Sequence, residues 1–496
     1  MQADVCLIVE GTYPYVTGGV SSWLHALITN LQEMTFSVVH LAGAPDQELV
    51  SKYQMPANVL SVTNHYIHGH VGQDGPNQKV NPTVWQDIEQ FHTDLAAHDY
   101  TSSCEFVEQR AKAGMPSTHS MVHGEQAWQV LLERYGKTAD PSTSFLDYFW
   151  TYRFTHLPLF RIIDAELPPA RSYHAISTGY AGVVGAMAKH RTGSPFLITE
   201  HGIYTREREI EIAQASWIYA ENSPMDDLVS EDFFREWWKQ MFRWMSAFSY
   251  RASDCTTSLT RINQRYQLRD GAPQERCMVI PNGIDMQRFS VERRADPAKF
   301  TVAFVGRVVS IKDVKTFVQA IAIARQTIGD SLQVFVVGPD DEEETYAEEC
   351  FALTELLGLK QVITYTGRAN VIDYYKTADV LVLTSLSEAQ PLVILEASCA
   401  GIPVVSTDVG ACRELLEGGE ADDVALGPSG LLTPPASPRA TAEALVTLWQ
   451  QPELRVRMAA AGQERVRRYY RQEDMYKAYR EMYGRFLPAS TGTVGA

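Results

Sequence analysis

Short apolar runs alternate with amphipathic segments along most of the chain. Between the runs, the spacing of apolar positions predicts helices, such as those over 20–31 and over the aromatic-rich stretch 234–251. This alternation is typical of parallel βαβ units. The predicted strands lie at 5–10, 36–41, 174–177, 196–199, 255–258 and 278–280 in the first half, and at 300–306, 332–338, 362–367, 379–385 and 402–408 in the second.

We therefore predict an α/β protein with two doubly wound, Rossmann-like domains, over 1–285 and 298–465. A chain of 496 residues is too long for one ordinary core. The charged stretch 286–299 loses apolar periodicity and is predicted to join the domains. Doubly wound sheets bind ligands outside the carboxyl ends of their strands, so a cleft between two facing domains is the expected site. A C-terminal helix over 466–487 is expected to pack back on the first domain, and 488–496 to form a disordered tail.

One segment departs from this plan. Residues 64–144 are polar and rich in His, Gln and Asp, and they predict a long insertion in the first domain, helical around 82–98 and 125–135. Three histidines lie close together within it, at His65, His68 and His70. No nearby set of carboxylates completes a metal site, so a polar loop is favoured and no metal site is predicted.

Composition narrows the function classes. The net charge of -17 opposes binding to a polyanion, so no nucleic-acid partner is expected. The chain contains no apolar run of about 18 residues or more and no secretory leader pattern. Its seven cysteines form no Cys-x-x-Cys pair, which favours neither a disulfide framework nor a zinc site. A cytoplasmic location is expected.

The first candidate chemistry follows the predicted strand 300–306. In "VGRVVSIKD", Arg307 and Lys312 lie on the predicted strand-to-helix loop. Two cations at the carboxyl end of a parallel strand suit a diphosphate. Taken alone, the pair is more simply explained as ordinary solvated charges.

A second stretch, "EAQPLVILEASCAGIPVV", strengthens the diphosphate hypothesis. A helix is predicted to begin near Pro391, with Leu392 and Val393 in its first turn. Its free N–H groups and positive dipole end would face a phosphate. Glu388 would lie just before the helix and Glu396 inside it, too far apart to act on one bond. A phosphate between them would have a sugar on one side and a ribose on the other, which is the shape of a nucleotide-sugar.

These motifs resemble a known family. "GRVVSIK" together with "EAQPLVILEASCAGIPVVSTDVG" resembles the retaining glycosyltransferases of the GT4 family, which have the GT-B fold. The shared pattern is a Glu, seven residues and a second Glu, matched by Glu388 and Glu396. "IPNGID", "EGTYPYVTGGVSSWLHAL" and "TEHG" resemble further family signatures, so the similarity covers most of the chain apart from the insertion and the tail. "EGTYPYVTGGVSSW", "TEHGIY" and "TDVGACREL" also resemble the cytosolic glycosyltransferases of bacterial Pel exopolysaccharide systems.

The resemblance implies a role for each matched residue. Two cations would neutralise the leaving diphosphate in place of a metal, and two glutamates would hold the ribose and the donor sugar. A histidine would contact the sugar from the other domain, and a glycine pair would let the backbone approach the phosphates or the acceptor. These residues are, in that order, Arg307 and Lys312, Glu396 and Glu388, His201, and Gly18 with Gly19. Without the resemblance, His201 is more simply a core histidine and the glycine pair a turn.

The implied activity is a retaining, metal-independent transfer of a sugar from a nucleotide-sugar, UDP-linked by resemblance, to a growing exopolysaccharide. No cofactor and no covalent intermediate are expected. A cytosolic enzyme making an exported polymer is expected to dock onto an inner-membrane synthase or export complex. A catalytically silent GT-B subunit that binds a nucleotide-sugar stays an alternative. A GT-B epimerase or phosphorylase is less favoured, because neither an acid/base pair nor a pyridoxal phosphate motif is evident.

Overall fold

The fold is described from a computed structural model, and two compact units make up the chain. One unit comprises Met1–Ser258, Gln264–Met278 and Arg480–Ala496; the other comprises Leu259–Asn263 and Val279–Tyr479. The structure describes residues 2–45, 49–68, 81–113, 116–139, 143–163, 165–214, 227–294 and 296–487.

Each unit is built on one β-sheet. The first sheet has seven strands in the order β3-β2-β1-β4-β5-β6-β7, and the second has six in the order β10-β9-β8-β11-β12-β13. The strands are β1 Ala3–Glu10, β2 Phe36–Ala42, β3 Val59–Tyr66, β4 Ala170–Ala175, β5 Phe196–Glu200, β6 Cys255–Ser258, β7 Cys277–Val279, β8 Phe300–Val305, β9 Leu332–Val337, β10 Ile363–Tyr365, β11 Val380–Leu383, β12 Val404–Thr407 and β13 Gly430–Thr433.

Helices follow most strands, as a doubly wound fold requires. They are α1 Gly19–Asn30, α2 Pro82–Ala96, α3 Tyr100–Ala113, α4 Thr118–His123, α5 Glu125–Thr138, α6 Phe145–Ile163, α7 Tyr180–Thr192, α8 Tyr204–Gln214, α9 Asp227–Ala252, α10 Arg261–Arg269, α11 Met286–Phe289, α12 Val314–Ile328, α13 Glu344–Leu356, α14 Val371–Tyr375, α15 Leu392–Cys399, α16 Cys412–Glu417, α17 Ala421–Val424, α18 Pro438–Gln450, α19 Pro452–Tyr469 and α20 Gln472–Phe486.

The central strands are apolar on both faces because helices cover both sides of each sheet. Every residue of β8, β11 and β12 is buried. In the second unit β8 pairs in parallel with β9 and β11, and β11 pairs in parallel with β12. In the first unit β1 pairs in parallel with β2 and β4. Strands of parallel sheets that are covered on both faces appear in the sequence as continuous apolar runs, which explains why these strands could be predicted. The prediction of two doubly wound α/β units is confirmed.

Two strands were not predicted from the sequence. β3 carries polar residues at most positions and is only half-buried at the edge of its sheet. It extends into the segment 64–144, which was expected to contain no strand. β13, with the sequence "GLLT", is four residues long and ends the other sheet. Edge strands bury less apolar surface than central ones, so their pattern is weak.

The insertion is mostly helical where it is described. Its predicted helices correspond to α2 and α5, and the unpredicted α3 and α4 lie between them. Helix α2 begins where the Asn81 side chain accepts a hydrogen bond from the Thr83 N–H at 3.1 Å, with Pro82 in the first turn. His70 lies outside the described residues. Within the described ranges, no group of three or more His, Cys, Asp or Glu side chains could hold a metal ion.

The units divide earlier in the chain than the sequence suggested. Residues 279–285, expected in the first domain, belong to the second unit. Ile284 explains this, because its N–H donates to the Tyr470 carbonyl at 2.8 Å and its carbonyl accepts from the Gln472 N–H at 3.1 Å. The expected linker 286–299 begins with a helix, α11, whose Phe289 is buried in the same unit.

The C-terminal helix α20 is shared by the units. Its residues up to Tyr479 belong to the second unit, and those from Arg480 belong to the first. In the first unit, the Tyr483 hydroxyl and His174 Nδ1 are hydrogen-bonded at 2.7 Å, and the Tyr483 ring meets Phe36 edge-on. The predicted tail 488–496 lies outside the described residues. No helix in the described part of the chain has the length and apolar character to cross a membrane.

Candidate functional site

The loop after β8 carries the first predicted cation. Arg307 forms an ion pair with Glu342, which lies in the acidic stretch after β9. Both side chains are about half exposed. The neighbouring Glu343 accepts from the Ser310 N–H at 2.9 Å and from its hydroxyl at 3.3 Å. The loops after β8 and β9 are therefore held together by carboxylates at the carboxyl edge of the sheet.

Lys312 and Glu388, which were predicted separately, form one ion pair. The side chains are 19% and 11% exposed, so this pair is far less solvated than the pair at Arg307. The Ser385 hydroxyl also donates to Glu388 Oε1, at 2.6 Å. Glu388 is thus a carboxylate with two donors in a mostly enclosed position.

Backbone contacts fix the positions of these two side chains. Lys312 ends a short 3₁₀ turn, Ser310–Lys312, and Asp313 after it has φ +47° and accepts from the Thr316 N–H to begin α12. The Thr384 hydroxyl donates to the carbonyls of Lys312 and Asp313 at 3.0 and 2.9 Å. The loop after β11 is therefore tied to the loop after β8 by hydrogen bonds that do not involve the ion pair.

A glycine after β12 supports the same loop from the other side. Gly410 has φ +52°, and a Cβ placed on it would lie 1.7 Å from the carbonyl oxygen of Glu388. The next residue, Ala411, donates its N–H to the Ala389 carbonyl at 3.1 Å. Only glycine combines this backbone conformation with so close an approach.

Helix α15 begins immediately after this loop. Pro391 precedes its first residue, Leu392, as expected, and no side chain caps its first turn. The helix is eight residues long, with Leu392 and Val393 half-buried. The Gln390 side chain accepts from the Asn282 N–H at 2.8 Å. The "IPNGID" stretch therefore supports the start of α15.

Glu396 occupies a separate, more buried position on α15. The hydroxyl of the buried Tyr375 donates to Glu396 Oε2 at 2.7 Å. Burial raises the pKa of Glu396, while this hydrogen bond and the charge of Arg288 oppose the rise. Arg288 is positioned by α11, which Asp285 caps by accepting from the N–H groups of Gln287 and Arg288.

The remaining predicted residues lie in the first unit. Gly18 precedes α1 with extended backbone, and a Cβ on Gly18 or Gly19 would meet no atom within 4 Å. His201 follows β5, and its ring lies edge-on to Trp23 with 4.5 Å between ring centres. Burial lowers the pKa of His201 to about 4. At neutral pH its ring is therefore uncharged, with one nitrogen able to donate a hydrogen bond and the other able to accept one.

A buried carboxylate lies beside His201. Glu200 is 1% exposed. It accepts hydrogen bonds from Tyr250 at 2.6 Å, Gln267 at 2.9 Å and Thr178 at 3.0 Å. Burial raises its pKa although these donors favour the charged form. The network is complete within the protein, so Glu200 anchors the strand end that carries His201.

The structure thus brings together Lys312 and Glu388 and places Arg307 and Glu396 on neighbouring elements of the same unit. Sequence reasoning missed the groups that hold these four side chains: Ser385, Glu342, Tyr375 and Arg288. Only Ser385 lies close in sequence to its partner, three residues before Glu388. The others are distant in sequence from the side chains they contact.

Comparison with known families divides the chain in a similar way. The model of the family described as Domain of unknown function (DUF3492) matches residues 3–275, more than half of the chain. The model described as Glycosyl transferases group 1 matches residues 285–465. All four side chains that form the candidate site of the second unit lie within the latter range.

Curated relatives match in part. A D-inositol 3-phosphate glycosyltransferase of Kineococcus radiotolerans is 33% identical over 221 residues, which are 41% of this chain and 51% of the relative. A phosphatidyl-myo-inositol mannosyltransferase of Mycobacterium leprae is 32% identical over 195 residues, 38% of this chain and 49% of the relative. The chain spans about half the length of the curated relatives it matches.

Solved structures agree on the fold. Anabaena Alr3699/HepE in complex with UDP has a TM-score of 0.58 at 15% identity, covering 97% of this chain and 100% of that one. Sucrose-phosphate synthase from Thermosynechococcus elongatus has a TM-score of 0.57 at 17% identity, covering 97% and 98%. With the two parallel sheets, these neighbours confirm the GT-B fold expected from the sequence.

Proposed function

The chain belongs to the DUF3492 family, and we propose that it is a retaining hexosyltransferase of the GT4 type that uses a UDP-linked sugar. One observation carries the proposal: Lys312, Glu388 and Ser385 meet at the start of α15 within a Glycosyl transferases group 1 domain. The structural neighbour Alr3699/HepE is a complex with UDP, which supports the choice of nucleotide.

In this proposal the donor binds by replacing the carboxylate partners of two cations. Arg307 and Lys312 each pair with a carboxylate of their own unit. The diphosphate takes over one or both cations, and the N–H groups at the start of α15 add hydrogen bonds. As the bond to the sugar breaks, the same charges stabilise the leaving diphosphate. Because they replace a metal, the reaction is proposed to need no divalent cation.

In this proposal each of the two glutamates binds a different part of the donor. Glu396 accepts from the ribose hydroxyls, which requires its charged form, and Arg288 and Tyr375 favour that form. Glu388, released from Lys312, accepts from hydroxyls of the donor sugar and orients its anomeric carbon. The acceptor attacks on the face that the diphosphate leaves, so the anomeric configuration is kept. The roles of His201, Gly18 and Gly19 stay predictions.

The biological setting is the finer part of the proposal. The motifs that resemble Pel-type enzymes support transfer to a growing exopolysaccharide in the bacterial cytoplasm, with docking onto an inner-membrane synthase or export complex. Fractionating cells with and without the candidate membrane partners checks the docking. A protein that fractionates identically in both contradicts it.

Calorimetric titration tests the donor assignment. We expect UDP to bind more tightly than ADP, GDP or CDP, and a chelator to leave the affinity unchanged. Lys312→Met should lower the affinity for UDP by roughly ten- to a hundredfold, because it removes a charge-assisted contact of about 1.5–3 kcal/mol. The matched control is Lys315→Met, whose lysine pairs with Glu349 of the same unit, with both side chains well exposed. Absence of nucleotide binding, or binding that requires added manganese, refutes the assignment.

The silent-subunit alternative makes a different prediction. It shares the binding behaviour but requires that no sugar be transferred or hydrolysed. Incubating the protein with each UDP-sugar that binds, and measuring UDP release, separates the two. Release that Glu388→Gln abolishes supports the transferase, whereas binding without release supports the silent subunit.

A further inference from the structure

A contiguous apolar surface covers one side of the helical insertion. It consists of Trp128 and Leu132 on α5 and Leu146, Trp150 and Phe154 on α6, which we call the α5–α6 patch. These side chains are exposed by 46%, 42%, 61%, 43% and 51%, respectively. On each helix they recur every four residues, so they form one stripe per helix.

Ring contacts join the two stripes. Trp128 lies 6.0 Å from Phe149 between ring centres, and Phe149 lies 5.2 Å from Trp150. Trp150 stacks on Phe154 at 5.7 Å with 26° between the planes. Single exposed apolar residues are normal on a monomer, but a contiguous aromatic patch of this kind marks an interaction site.

Buried residues of the same two helices hold the α5–α6 patch in place. Beside the exposed stripes, the same helices bury Leu131 of α5 and Tyr148 and Tyr152 of α6, which form one core cluster with Phe234 of α9. The Tyr148 hydroxyl is 3.3 Å from that of Thr138, at the end of α5. The exposed stripes therefore cannot turn inward without breaking this cluster, so a partner would meet a preorganised surface.

Charges at the patch have both signs. On α6, Arg153 lies three residues after Trp150 and Asp147 three residues before it, so the two charges flank the stripe, and on α5 Glu125 lies three residues before Trp128. None of these three charges forms an ion pair within the described ranges of the chain. The chain as a whole carries a net charge of -17, which repels an anionic lipid surface. A protein surface with both an acid and a base is the better match.

We propose that the α5–α6 patch is the interface of a two-fold homodimer. A two-fold axis presents the same patch on both copies, so Arg153 of each copy can meet Asp147 of the other. The helix pair of one copy then packs on that of its mate as a four-helix arrangement.

The available area fits a weak dimer. An aromatic side chain presents about 150–250 Å², so three half-exposed aromatic residues offer roughly 300 Å² per copy. With the two leucines, both copies together bury on the order of 1,000 Å² or slightly less, near the lower limit for a specific interface. The net charge of each copy adds repulsion, which salt screens over roughly 8 Å at physiological ionic strength. We therefore expect dissociation in the micromolar range, with the dimer favoured as salt rises.

Sedimentation velocity over about 1–100 µM protein measures this equilibrium. We expect the wild type to shift from monomer to dimer, and Trp150→Glu to weaken the dimer by at least about tenfold, since it buries a charge at the centre of the interface. The control, Leu356→Glu, changes a leucine that is 80% exposed on α13 and should leave the equilibrium unchanged. Both positions are exposed, so folding should be kept, and far-ultraviolet circular dichroism verifies it.

A charge exchange tests the two-fold geometry. Arg153→Glu and Asp147→Lys should each weaken the dimer, and the double variant should restore most of it. A chain that is monomeric throughout the range, or a dimer indifferent to Trp150→Glu, overturns the proposal. Binding to phosphatidylglycerol–phosphatidylcholine vesicles that is lost in Trp150→Glu, without any dimer, would assign the patch to a membrane surface and also overturn it.

Discussion

Replacing Glu388 by glutamine should tighten the binding of UDP while stopping sugar transfer. Glutamine keeps the size of the side chain and can still accept from Ser385, but it removes the charge that pairs with Lys312. The pair is largely enclosed, with 19% and 11% exposure. Losing one partner of an enclosed pair leaves the other charge poorly compensated.

The magnitude follows from this enclosure. Breaking a fully buried pair costs about 3–5 kcal/mol and an exposed pair contributes less than about 1 kcal/mol. We therefore expect free Glu388→Gln protein to be less stable by about 1–3 kcal/mol. Bound diphosphate supplies Lys312 with a new partner and recovers part of this loss. UDP affinity should consequently rise about three- to thirtyfold, equivalent to about 1–2 kcal/mol.

Calorimetry with UDP, thermal unfolding with and without UDP, and a transfer assay together measure these effects. Glu349→Gln is the matched control, because it removes the partner of Lys315 from a pair that is 37% and 54% exposed. It should change neither stability nor affinity measurably. If Glu388→Gln weakens UDP as strongly as Lys312→Met does, the exchange of partners is wrong and Glu388 binds the nucleotide itself.

Three further outcomes follow from the site. Arg307→Met should weaken the binding of UDP by roughly ten- to a hundredfold in calorimetry. The free energy of unfolding should stay within about 0.5 kcal/mol of the wild type, because the ion pair that this change breaks is exposed. A loss of stability instead would show that Arg307 has a structural role. Tyr375→Phe removes a hydrogen bond that opposes the raised pKa of Glu396, so this pKa should rise further. If Glu396 binds the ribose in its charged form, as proposed, UDP binding should then be lost at a higher pH as the solution is acidified. Titrations between about pH 5 and 8 check this, and coincident profiles would contradict it. Gly410→Ala should destabilise the fold by more than about 2 kcal/mol, because a Cβ would overlap the backbone of the loop that carries Glu388. Gly427→Ala, at φ +82° with no atom within 4 Å, should cost only its backbone strain of about 1–2 kcal/mol. Equal losses of stability in urea unfolding would show that the overlap is relieved.

The raised pKa of Glu396 also makes the stability of the protein depend on pH. Its pKa is raised in the folded protein, so the folded state holds a proton that the unfolded state releases above its ordinary pKa of 4.5. The contribution of Glu396 to the free energy of unfolding therefore falls as pH rises from that value towards the raised pKa. Without nucleotide, the protein should gain stability on mild acidification at this position.

The doubly wound core was predictable because its strands are buried on both faces and leave continuous apolar runs. β3 was not, since an edge strand carries polar residues that resemble a loop. The site shows the same limit. Glu388 and Glu396 were predicted from their spacing and their family resemblance, whereas Tyr375 and Glu342 reach their partners through contacts that only folding creates. The boundary near Ile284 was misplaced because two backbone hydrogen bonds to the end of the chain assign that residue to the second unit.

The bond between His174 and Tyr483 has a consequence during synthesis. His174 lies in the sheet of the first unit, yet its hydroxyl partner, Tyr483 on α20, follows it by 309 residues in the chain and so is synthesised much later. Roughly 200 residues separate the second segment of that unit from its third, which at about 5–20 residues per second takes on the order of 10–40 s. During that time the nascent unit carries an uncovered imidazole and the face of Phe36 that Tyr483 later packs against. A ribosome stalled before Tyr483 should therefore display a first unit that proteases cleave more readily than the same unit in the finished chain.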